Sequence, residues 1–306
     1  MKNILDFKTL AEFLEYFKDE ETCREHFAAI RFANGEYCPH CGHTEIYTFS
    51  NGKRYRCAKC RQDFTIKTGT VFGESKVPLK KWFIAIYLMS TTSKGISSVQ
   101  LAKHVGVTQK TGWFMDHRIR KAMKQNGGML MGKVEADETF IGGLSKNMHK
   151  DKREKAIKGT GGTGKAAVFG LKSRDGEMRA QVVPSVGMVD LHKVIRDNVP
   201  AGATLYTDQW VAYRGLHEFN HDIVNHSAKQ YVKGDCHTNG IESFWALFKR
   251  GYHGIYHHMS KKHLQRYVNE FAFRFNRRKE EMTGQFSDVL SNIVETSKLP
   301  YKELTA

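Results

Sequence analysis

Three acidic residues lie in segments where phosphoryl-transfer chemistry would need them. The alternating run 133–141 is typical of a strand and contains Asp137, and the shorter strand-like run 204–207 leads directly into Asp208. Glu242 lies further along the chain, in a segment whose apolar residues have helical spacing. Two divalent cations held by such carboxylates can activate an attacking oxygen and stabilise a leaving one. Because Mg²⁺ prefers carboxylate oxygens, the three acids are candidate magnesium ligands.

The first strand is expected to present a polar face and an apolar face. Side chains alternate along a strand, so Glu135, Asp137 and Thr139 should share one face. Val134 and Ala136 should lie on the other face, which would pack into a core. The strand can therefore be buried while it presents Asp137 to a site.

The helical segment that contains Glu242 has a similar division. Asn239, Glu242 and Lys249 fall at positions i, i+3 and i+10, close to one side of the helix. The adjacent apolar stripe, which should face the core, consists of Ile241, Phe244, Trp245 and Phe248. We predict that Lys249 contacts a phosphate near the reacting bond; the alternative is an ordinary solvated lysine.

Two CxxC pairs predict a structural zinc site. The pairs are Cys38–Cys41 and Cys57–Cys60, and residues 42–56 separate them. Zinc takes four thiolates in a tetrahedron, and a closed site of that kind has no open position for catalysis. His40 and His43 are alternative ligands, although exposed positions in the knuckle suit them better.

Residues 97–124 have the pattern of a helix-turn-helix. Ser97 can cap a first helix, the turn contains Gly106, and Thr108 can cap a second helix. The predicted DNA contacts are Gln109, Lys110 and Thr111 at the start of the second helix, and Arg118 in its basic part. The alternative is a plain helical hairpin that does not bind DNA.

The charge of the chain favours a nucleic-acid partner. Its 306 residues include 48 Lys and Arg against 32 Asp and Glu, a formal net charge of +16. Such an excess is typical of proteins that bind polyanions, although a basic solvated surface would give the same balance. The most apolar run, 82–89, is too short to span a bilayer, and no amino-terminal signal is evident. A soluble intracellular protein is therefore expected.

The sequence predicts a multidomain chain: a zinc ribbon, a helix-turn-helix domain and an α/β domain with carboxyl-terminal helices. In the first segment, Phe7, Leu10, Leu14 and Phe17 recur at helical spacing. The expected segments are a helical lead-in (1–34), the zinc ribbon (35–75), the helix-turn-helix domain (76–126), the α/β catalytic domain (127–290) and a carboxyl-terminal tail (291–306). The strand and helix order of the fourth segment fits an RNase H-like core.

Several motifs resemble those of bacterial insertion-sequence transposases of the DDE type, in the subgroup with an amino-terminal zinc ribbon. The resemblance covers roughly residues 20–290. The motifs are the Cys-Pro-His-Cys-Gly run at 38–42, Glu-Ala-Asp-Glu-Thr-Phe-Ile-Gly-Gly at 135–143, Tyr-Thr-Asp at 206–208, His-Thr-Asn-Gly-Ile-Glu-Ser-Phe-Trp at 237–245 and the segments 256–260, 270–271 and 274–278. The resemblance implies an RNase H-like catalytic domain, dependence on Mg²⁺ or Mn²⁺, and strand transfer at the ends of a mobile element.

The resemblance assigns Asp137 and Asp208 as the first two acids of the catalytic set. Residues 209–241 separate Asp208 from Glu242, a spacing close to that usual in such enzymes. Some members of the subgroup use Asn as the third ligand, so Asn239 is an alternative to Glu242, which is the better ligand on charge.

The expected partners are double-stranded DNA, both at the element's terminal repeats and at the target, and further copies of the chain on that DNA. No membrane partner is expected, and the location would be the bacterial cytoplasm, associated with the nucleoid. Two other functions stay open: a zinc-ribbon and helix-turn-helix transcription regulator without catalysis, and another RNase H-like nuclease such as a resolvase.

Overall fold

The computed structural model describes residues 6–124, 127–143, 149–151, 164–224 and 236–306. The chain forms two compact units, one of residues 1–123 with 279–306, the other of residues 124–278. The predicted boundary after residue 126 falls three residues from the observed one. The predicted end of the α/β segment at residue 290 differs, because the chain rejoins the first unit from residue 279 onward.

Ten helices and eight strands are used below to locate residues. The helices are α1 (Leu10–Tyr16), α2 (Glu20–Arg31), α3 (Leu79–Thr91), α4 (Ser98–Val105), α5 (Gln109–Ala122), α6 (Met188–Asn198), α7 (Asn239–Gly251), α8 (Leu264–Arg277), α9 (Met282–Glu295) and α10 (Tyr301–Thr305). The strands are β1 (Ile46–Thr48), β2 (Tyr55–Cys57), β3 (Asp63–Phe64), β4 (Lys133–Ile141), β5 (Ala166–Ser173), β6 (Met178–Val183), β7 (Thr204–Asp208) and β8 (Asn220–Val224). No helix in the described ranges is long and apolar enough to cross a membrane.

An aromatic cluster joins both ends of the chain in the first unit. The ring of Phe13 on α1 lies 4.5 Å from that of Tyr87 on α3 and 5.2 Å from that of Phe286 on α9 (centroid distances). Phe7 and Phe17 are buried in the same cluster. Aromatic contacts at these distances stabilise a core beyond the area they bury. Helix α9 therefore belongs to the core of this unit.

Both ends of the chain contain helices that belong to the first unit. Leu10 and Leu14 are 41% and 38% exposed, because Phe13 occupies the core position between them. The predicted tail, 291–306, includes the end of α9 and all of α10, and Leu299 and Leu304 are fully buried. Burial of these leucines removes apolar surface from water, and this accounts for the order of the last residues.

Helices α4 and α5 are joined by the predicted tight turn. The side chain of Ser97 accepts a hydrogen bond from the backbone N–H of Gln100, and that of Thr108 accepts one from Thr111, so both predicted caps are confirmed. Gly106 ends α4 with a φ of +68°, a left-handed conformation that glycine adopts without strain. The two helices approach closely at Gly112, where a Cβ atom would lie 2.9 Å from the carbonyl oxygen of Ser98.

The second unit is built on a mixed five-stranded sheet. Its strand order is β6-β5-β4-β7-β8. Strands β6, β5 and β4 are antiparallel neighbours, whereas β4, β7 and β8 run parallel. Helix α6 lies between β6 and β7 in sequence and supplies the crossover that a return to a parallel strand requires.

The two faces of this sheet are covered by different helices, and the predicted alternation of β4 is confirmed. Val134 and Ala136 lie in a core cluster with Leu191 and Ile195 of α6. Ile141 lies four residues after Asp137, and therefore on the same face of β4, and it belongs to a second cluster. That cluster includes Phe244 and Phe248 of α7 and Phe271 of α8. The face of β4 that carries Asp137 is therefore the face toward α7.

Glycine in the middle of β5 allows α7 to approach the sheet. Gly170 is the direct partner of Asp137 in the ladder between β4 and β5. A Cβ atom at Gly170 would lie 2.7 Å from Cζ2 of Trp245, a distance that real Cβ atoms do not show. The absence of a side chain at this position brings the helix that carries Glu242 next to the strand that carries Asp137.

Amide side chains of α8 bond to the outer edge of β6. Gln265 accepts a hydrogen bond from the N–H of Val182 at 2.7 Å and donates one to the carbonyl of Ala180 at 3.2 Å. Asn276 bonds in the same manner to both the N–H and the carbonyl of Met178, at 2.8 and 2.9 Å. Four outward-facing backbone groups of the edge strand thus have partners within the unit.

Candidate active site and metal centre

Asp137 and Asp208 lie at matching positions on two neighbouring parallel strands, Asp137 in the middle of β4 and Asp208 at the carboxyl end of β7. Glu135 of β4 pairs with Tyr206 of β7, and each aspartate follows its paired residue by two positions. Both side chains are partly buried. The carboxyl end of β7 therefore lies beside the middle of β4, and open α/β sheets bind ligands at the carboxyl ends of their strands.

Glu242 comes to the same region from the first turn of α7. The apolar side of the helix, formed by the predicted stripe, is buried against the sheet, while Asn239, Glu242 and Lys249 are exposed. The hydroxyl of Thr238 donates a hydrogen bond of 2.9 Å to Oε1 of Glu242. The predicted two-sided character of this helix is therefore confirmed.

The electrostatics of Asp137 show that the carboxylates are close enough to interact. Burial, followed by the neighbouring charges of Glu138, Asp208 and Glu242, raises the pKa of Asp137 to about 7. Repulsion of this kind is expected where several carboxylates face one region. A cation held among them would relieve it.

Glu138 is a fourth acid at this site, and we did not predict its involvement. Its Oε2 accepts a 2.6 Å hydrogen bond from the hydroxyl of Tyr213. Burial raises the pKa of Glu138, and the charge of Asp208 also raises it, against the effect of the Tyr213 hydrogen bond. Burial, followed by the charge of Glu138, raises the pKa of Tyr213 well above its usual 10. Strand alternation assigns Glu138 to the face away from Asp137, and only its adjacency to Asp137 hinted at a role.

Asp137, Asp208 and Glu242 fit a hard cation by their chemistry, because all three offer carboxylate oxygens, whereas Glu138 is bonded to Tyr213 on the other face of β4. They do not form a tight cluster: within the described ranges, the group whose ligand atoms all lie within 4.8 Å of one another consists of cysteines. Hydrogen bonds hold two of the acids individually, since Glu242 is bonded to Thr238 and Asp208 accepts from the backbone N–H of Trp210.

The cysteine cluster has the dimensions of a tetrahedral zinc site. The Sγ atoms of Cys38 and Cys60 are 3.7 Å apart, and those of Cys41 and Cys57 are 3.6 Å apart. Four sulfurs about 2.3 Å from a central zinc would be separated by roughly 3.8 Å. The antiparallel strands β1, β2 and β3 support the cluster, with Cys57 at the end of β2. The four cysteines form the predicted zinc ribbon. A zinc ion held by four thiolates has no open position for a substrate, so it would stabilise the fold and would not take part in catalysis.

The residues predicted to read DNA bases lie at the exposed start of α5. Gln109 and Lys110 are exposed and Thr111 is partly buried. The ammonium of Lys110 lies 5.0 Å from the centre of the Tyr301 ring, a cation–π contact that leaves the side chain at the surface. Their contact with DNA stays a prediction.

Arg118 differs from these residues, because it is buried and its predicted contact with DNA is therefore wrong. Its side chain is 3% exposed and donates hydrogen bonds to the carbonyl oxygens of Leu299, Val71 and Gly73, at 3.1, 2.8 and 3.0 Å. The guanidinium also lies 4.3 Å from the centre of the Phe114 ring. A buried charge needs such partners, and Arg118 therefore connects α5 to two other segments of the first unit.

We expect Arg118→Ala to lower the free energy of unfolding by about 3 kcal/mol, because three buried carbonyl groups lose their partner. Lys110→Ala should leave stability nearly unchanged and lower DNA affinity. Urea unfolding and DNA binding at several salt concentrations distinguish the two. An Arg118→Ala protein with normal stability and weakened DNA binding would contradict this structural role.

Asp137 should make stability depend on pH in a Mg²⁺-free buffer. The pKa of Asp137 is raised from 3.8 to about 7 in the folded protein, so its ionisation lowers the free energy of unfolding. This loss begins at about pH 4 and reaches its full size above about pH 7. Asp137→Asn has no charge to bury. We expect it to stabilise the protein by about 2 kcal/mol at pH 8 and by little at pH 4. Urea unfolding at both pH values measures this, with Asp197→Asn on the exposed side of α6 as control; an equal gain at both pH values would contradict it.

Comparison with known proteins agrees with this architecture. Residues 129–276 match the ISXO2-like transposase domain, and residues 18–63 match the transposase zinc-ribbon domain. The chain is 30% identical over 298 residues, 93% of its length, to an uncharacterized protein in transposable element ISH50 of Halobacterium salinarum, of which it covers 99%. It is also 34% identical over 121 residues to an uncharacterized transposase-like protein of Haemophilus influenzae, a match that spans 38% of this chain and 92% of that protein. The chain belongs to the family of insertion-sequence transposases that combine an amino-terminal zinc ribbon with an ISXO2-like transposase domain.

Proposed function

We propose that this transposase cleaves DNA at the ends of an insertion sequence and joins the freed 3′ hydroxyl groups to target DNA. The observation that carries the proposal is the placement of Asp137 and Asp208 at matching positions of the adjacent parallel strands β4 and β7, with Glu242 close enough to influence Asp137. The mixed sheet, with helices on both faces, supports the RNase H-like fold that such catalysis would use.

Asp137, Asp208 and Glu242 would hold Mg²⁺ or Mn²⁺, which supplies Lewis-acid activation of the attacking and leaving oxygens when bound. Asp137 and Asp208 are partly buried, and we expect the DNA phosphate to approach from the exposed side of α7. Lys249 is exposed on that helix, seven residues after Glu242, and would bind a phosphate oxygen as a point charge. Both steps transfer a phosphoryl group between oxygens, so no covalent bond between protein and DNA is required.

Glu242 is our choice for the third acid, and Asn239 is the alternative. The charge of Glu242 raises the pKa of Asp137, which supports a position of Glu242 near Asp137. Asn239 is exposed at the first position of α7 and carries no charge. An amide oxygen at that position would contribute less to cation binding than a carboxylate.

The first unit would bind the ends of the element. Helices α4 and α5 form a capped pair with a tight turn, the geometry that a helix-turn-helix needs, and the exposed start of α5 would enter the major groove. We assign base contacts to Gln109, Lys110 and Thr111. Pairing of two element ends would require at least two copies of the chain on DNA.

The test is a cleavage and strand-transfer assay in Mg²⁺ on a duplex made from the DNA that flanks the coding region. We expect nicks at the element end and covalent joining of that end to a second duplex. Binding without nicking would favour a transcription regulator. Cutting of branched DNA without joining would favour a resolvase-type nuclease.

A further inference from the structure

The carboxylate of Glu135 bonds to the start of the helix that carries Glu242. Glu135 is 1% exposed and lies two residues before Asp137 on the same face of β4. Its Oε2 accepts a 2.9 Å hydrogen bond from the backbone N–H of Ile241, the residue immediately before Glu242. The first turn of a helix has N–H groups without helical partners, and negative charge is favoured there.

Glycine at position 240 makes this contact possible. A Cβ atom at Gly240 would lie 2.8 Å from Oε2 of Glu135, closer than real Cβ atoms approach an oxygen. Thr238, the residue that precedes α7, does not cap the helix with its side chain and instead bonds to Glu242. The carboxylate from β4 thus takes the place of a local cap.

The other oxygen of Glu135 lies near a histidine ring and a guanidinium group. Its Oε1 lies 3.4 Å from Nδ1 of His237 and 3.5 Å from Nε of Arg174. The guanidinium of Arg174 lies 4.6 Å from the centre of the Tyr206 ring, two residues before Asp208 on β7. One buried carboxylate is therefore connected to all three segments that carry the proposed catalytic acids.

We propose that Glu135 is a positioning residue, which holds the start of α7 so that Glu242 stays in register with Asp137 and Asp208. The inference rests on the proposed function and concerns a residue that would not itself touch DNA or the cation. Residues that orient metal ligands commonly change metal affinity or activity by roughly 10- to 100-fold when replaced. If Glu135 only formed a buried ion pair, its replacement would change stability and leave metal affinity as it is.

The experiment compares Glu135→Gln with the wild-type protein. The amide oxygen can still accept from Ile241, but the charge that faces Arg174 and His237 is lost. We expect the variant to fold, to bind element-end DNA normally, and to require about tenfold more Mg²⁺ for half-maximal cleavage. Mn²⁺ binding to the protein alone, followed by the electron paramagnetic resonance of unbound Mn²⁺, should weaken by the same factor.

Two further variants make the test specific. In Gly240→Ala, the added Cβ atom on α7 displaces the carboxylate of Glu135, so Mn²⁺ affinity should fall as it does in Glu135→Gln. Because both variants disturb one contact, the double variant should bind Mn²⁺ little more weakly than Glu135→Gln alone. Glu270→Gln on α8 removes a buried carboxylate that pairs with Arg274 and bonds to Tyr256 in the same unit. It should lower thermal stability without changing the Mn²⁺ affinity.

The outcomes separate this inference from the proposed function. If wild type cleaves, Asp208→Asn does not, and folded Glu135→Gln has the wild-type Mn²⁺ affinity, the positioning role is overturned. If wild type fails to cleave, or Asp208→Asn cleaves normally, the proposed function is what fails. If Glu135→Gln does not fold, the Mn²⁺ affinities of Glu135→Asp and Gly240→Ala are compared with that of the wild-type protein instead. If none of the three variants folds, Glu135 contributes to stability alone and the inference is overturned.

Discussion

Asp137→Asn and Asp208→Asn are each expected to reduce cleavage and strand transfer by roughly 10³-fold or more while DNA-end binding persists. Each substitution removes one negative charge from the proposed cation site with almost no change in volume. A site of this kind contributes several kcal/mol to transition-state stabilisation, and about 4 kcal/mol corresponds to a factor of 10³. The measurement is the single-turnover rate on an element-end duplex, together with its dissociation constant.

The control for this prediction is Asp197→Asn, the same chemical change on the exposed side of α6. It should cleave at the wild-type rate. Glu242→Gln should be as inactive as the two aspartate variants, whereas Asn239→Ala should be less affected. The reverse result would make Asn239 the third ligand, and full activity in all three acid variants would remove the basis of the proposed mechanism.

Cys57→Ser is expected to release zinc and to unfold the ribbon, with a large loss of DNA affinity. Structural zinc sites contribute on the order of 10 kcal/mol, which is comparable to the whole stability of a domain. The ribbon also contacts α2, since Arg31 bonds to the carbonyl of Ile66 and the ring of Phe32 packs on that of Tyr55. The disturbance should therefore extend into α2, while residues 124–278 keep their own core.

Zinc content per chain and hydrogen exchange of the two units measure this effect. Cys23→Ala is the control, because Cys23 is buried in α2 outside the four-cysteine cluster and its loss should leave about one zinc per chain. Freshly purified wild-type protein without zinc, or a Cys57→Ser protein that retains it, would refute the four-thiolate site.

Local patterns predicted the parts of the fold that depend on local geometry. The bounds of β4 match the predicted strand, and the alternation that separates Asp137 from Ala136 follows from backbone geometry alone. The cysteine pairs were predictable because the coordination chemistry of zinc fixes both the residue type and the spacing. The buried stripe of α7 was predictable from helical periodicity.

Contacts between distant segments were not predictable in this way. Arg118 looks like a surface charge in sequence, and only the carbonyls of Val71 and Leu299 show that it is buried. Glu135 and Glu138 flank Asp137, but their partners Ile241 and Tyr213 are remote in the chain. The catalytic roles of the acids stay predictions, because proximity of charges is a property that many structural sites share.

The amide side chains that bond to β6 also restrict how copies of this protein can associate. An exposed edge strand is a template for aggregation and for strand exchange between molecules. The side chains of Gln265 and Asn276 already bond to the outer backbone groups of β6. An incoming strand would first have to break these four hydrogen bonds and displace α8. Sheet extension across β6 is therefore disfavoured, and any self-association of the chain would use side-chain surfaces or another edge. A double replacement of Gln265 and Asn276 by alanine would reopen this edge to self-association.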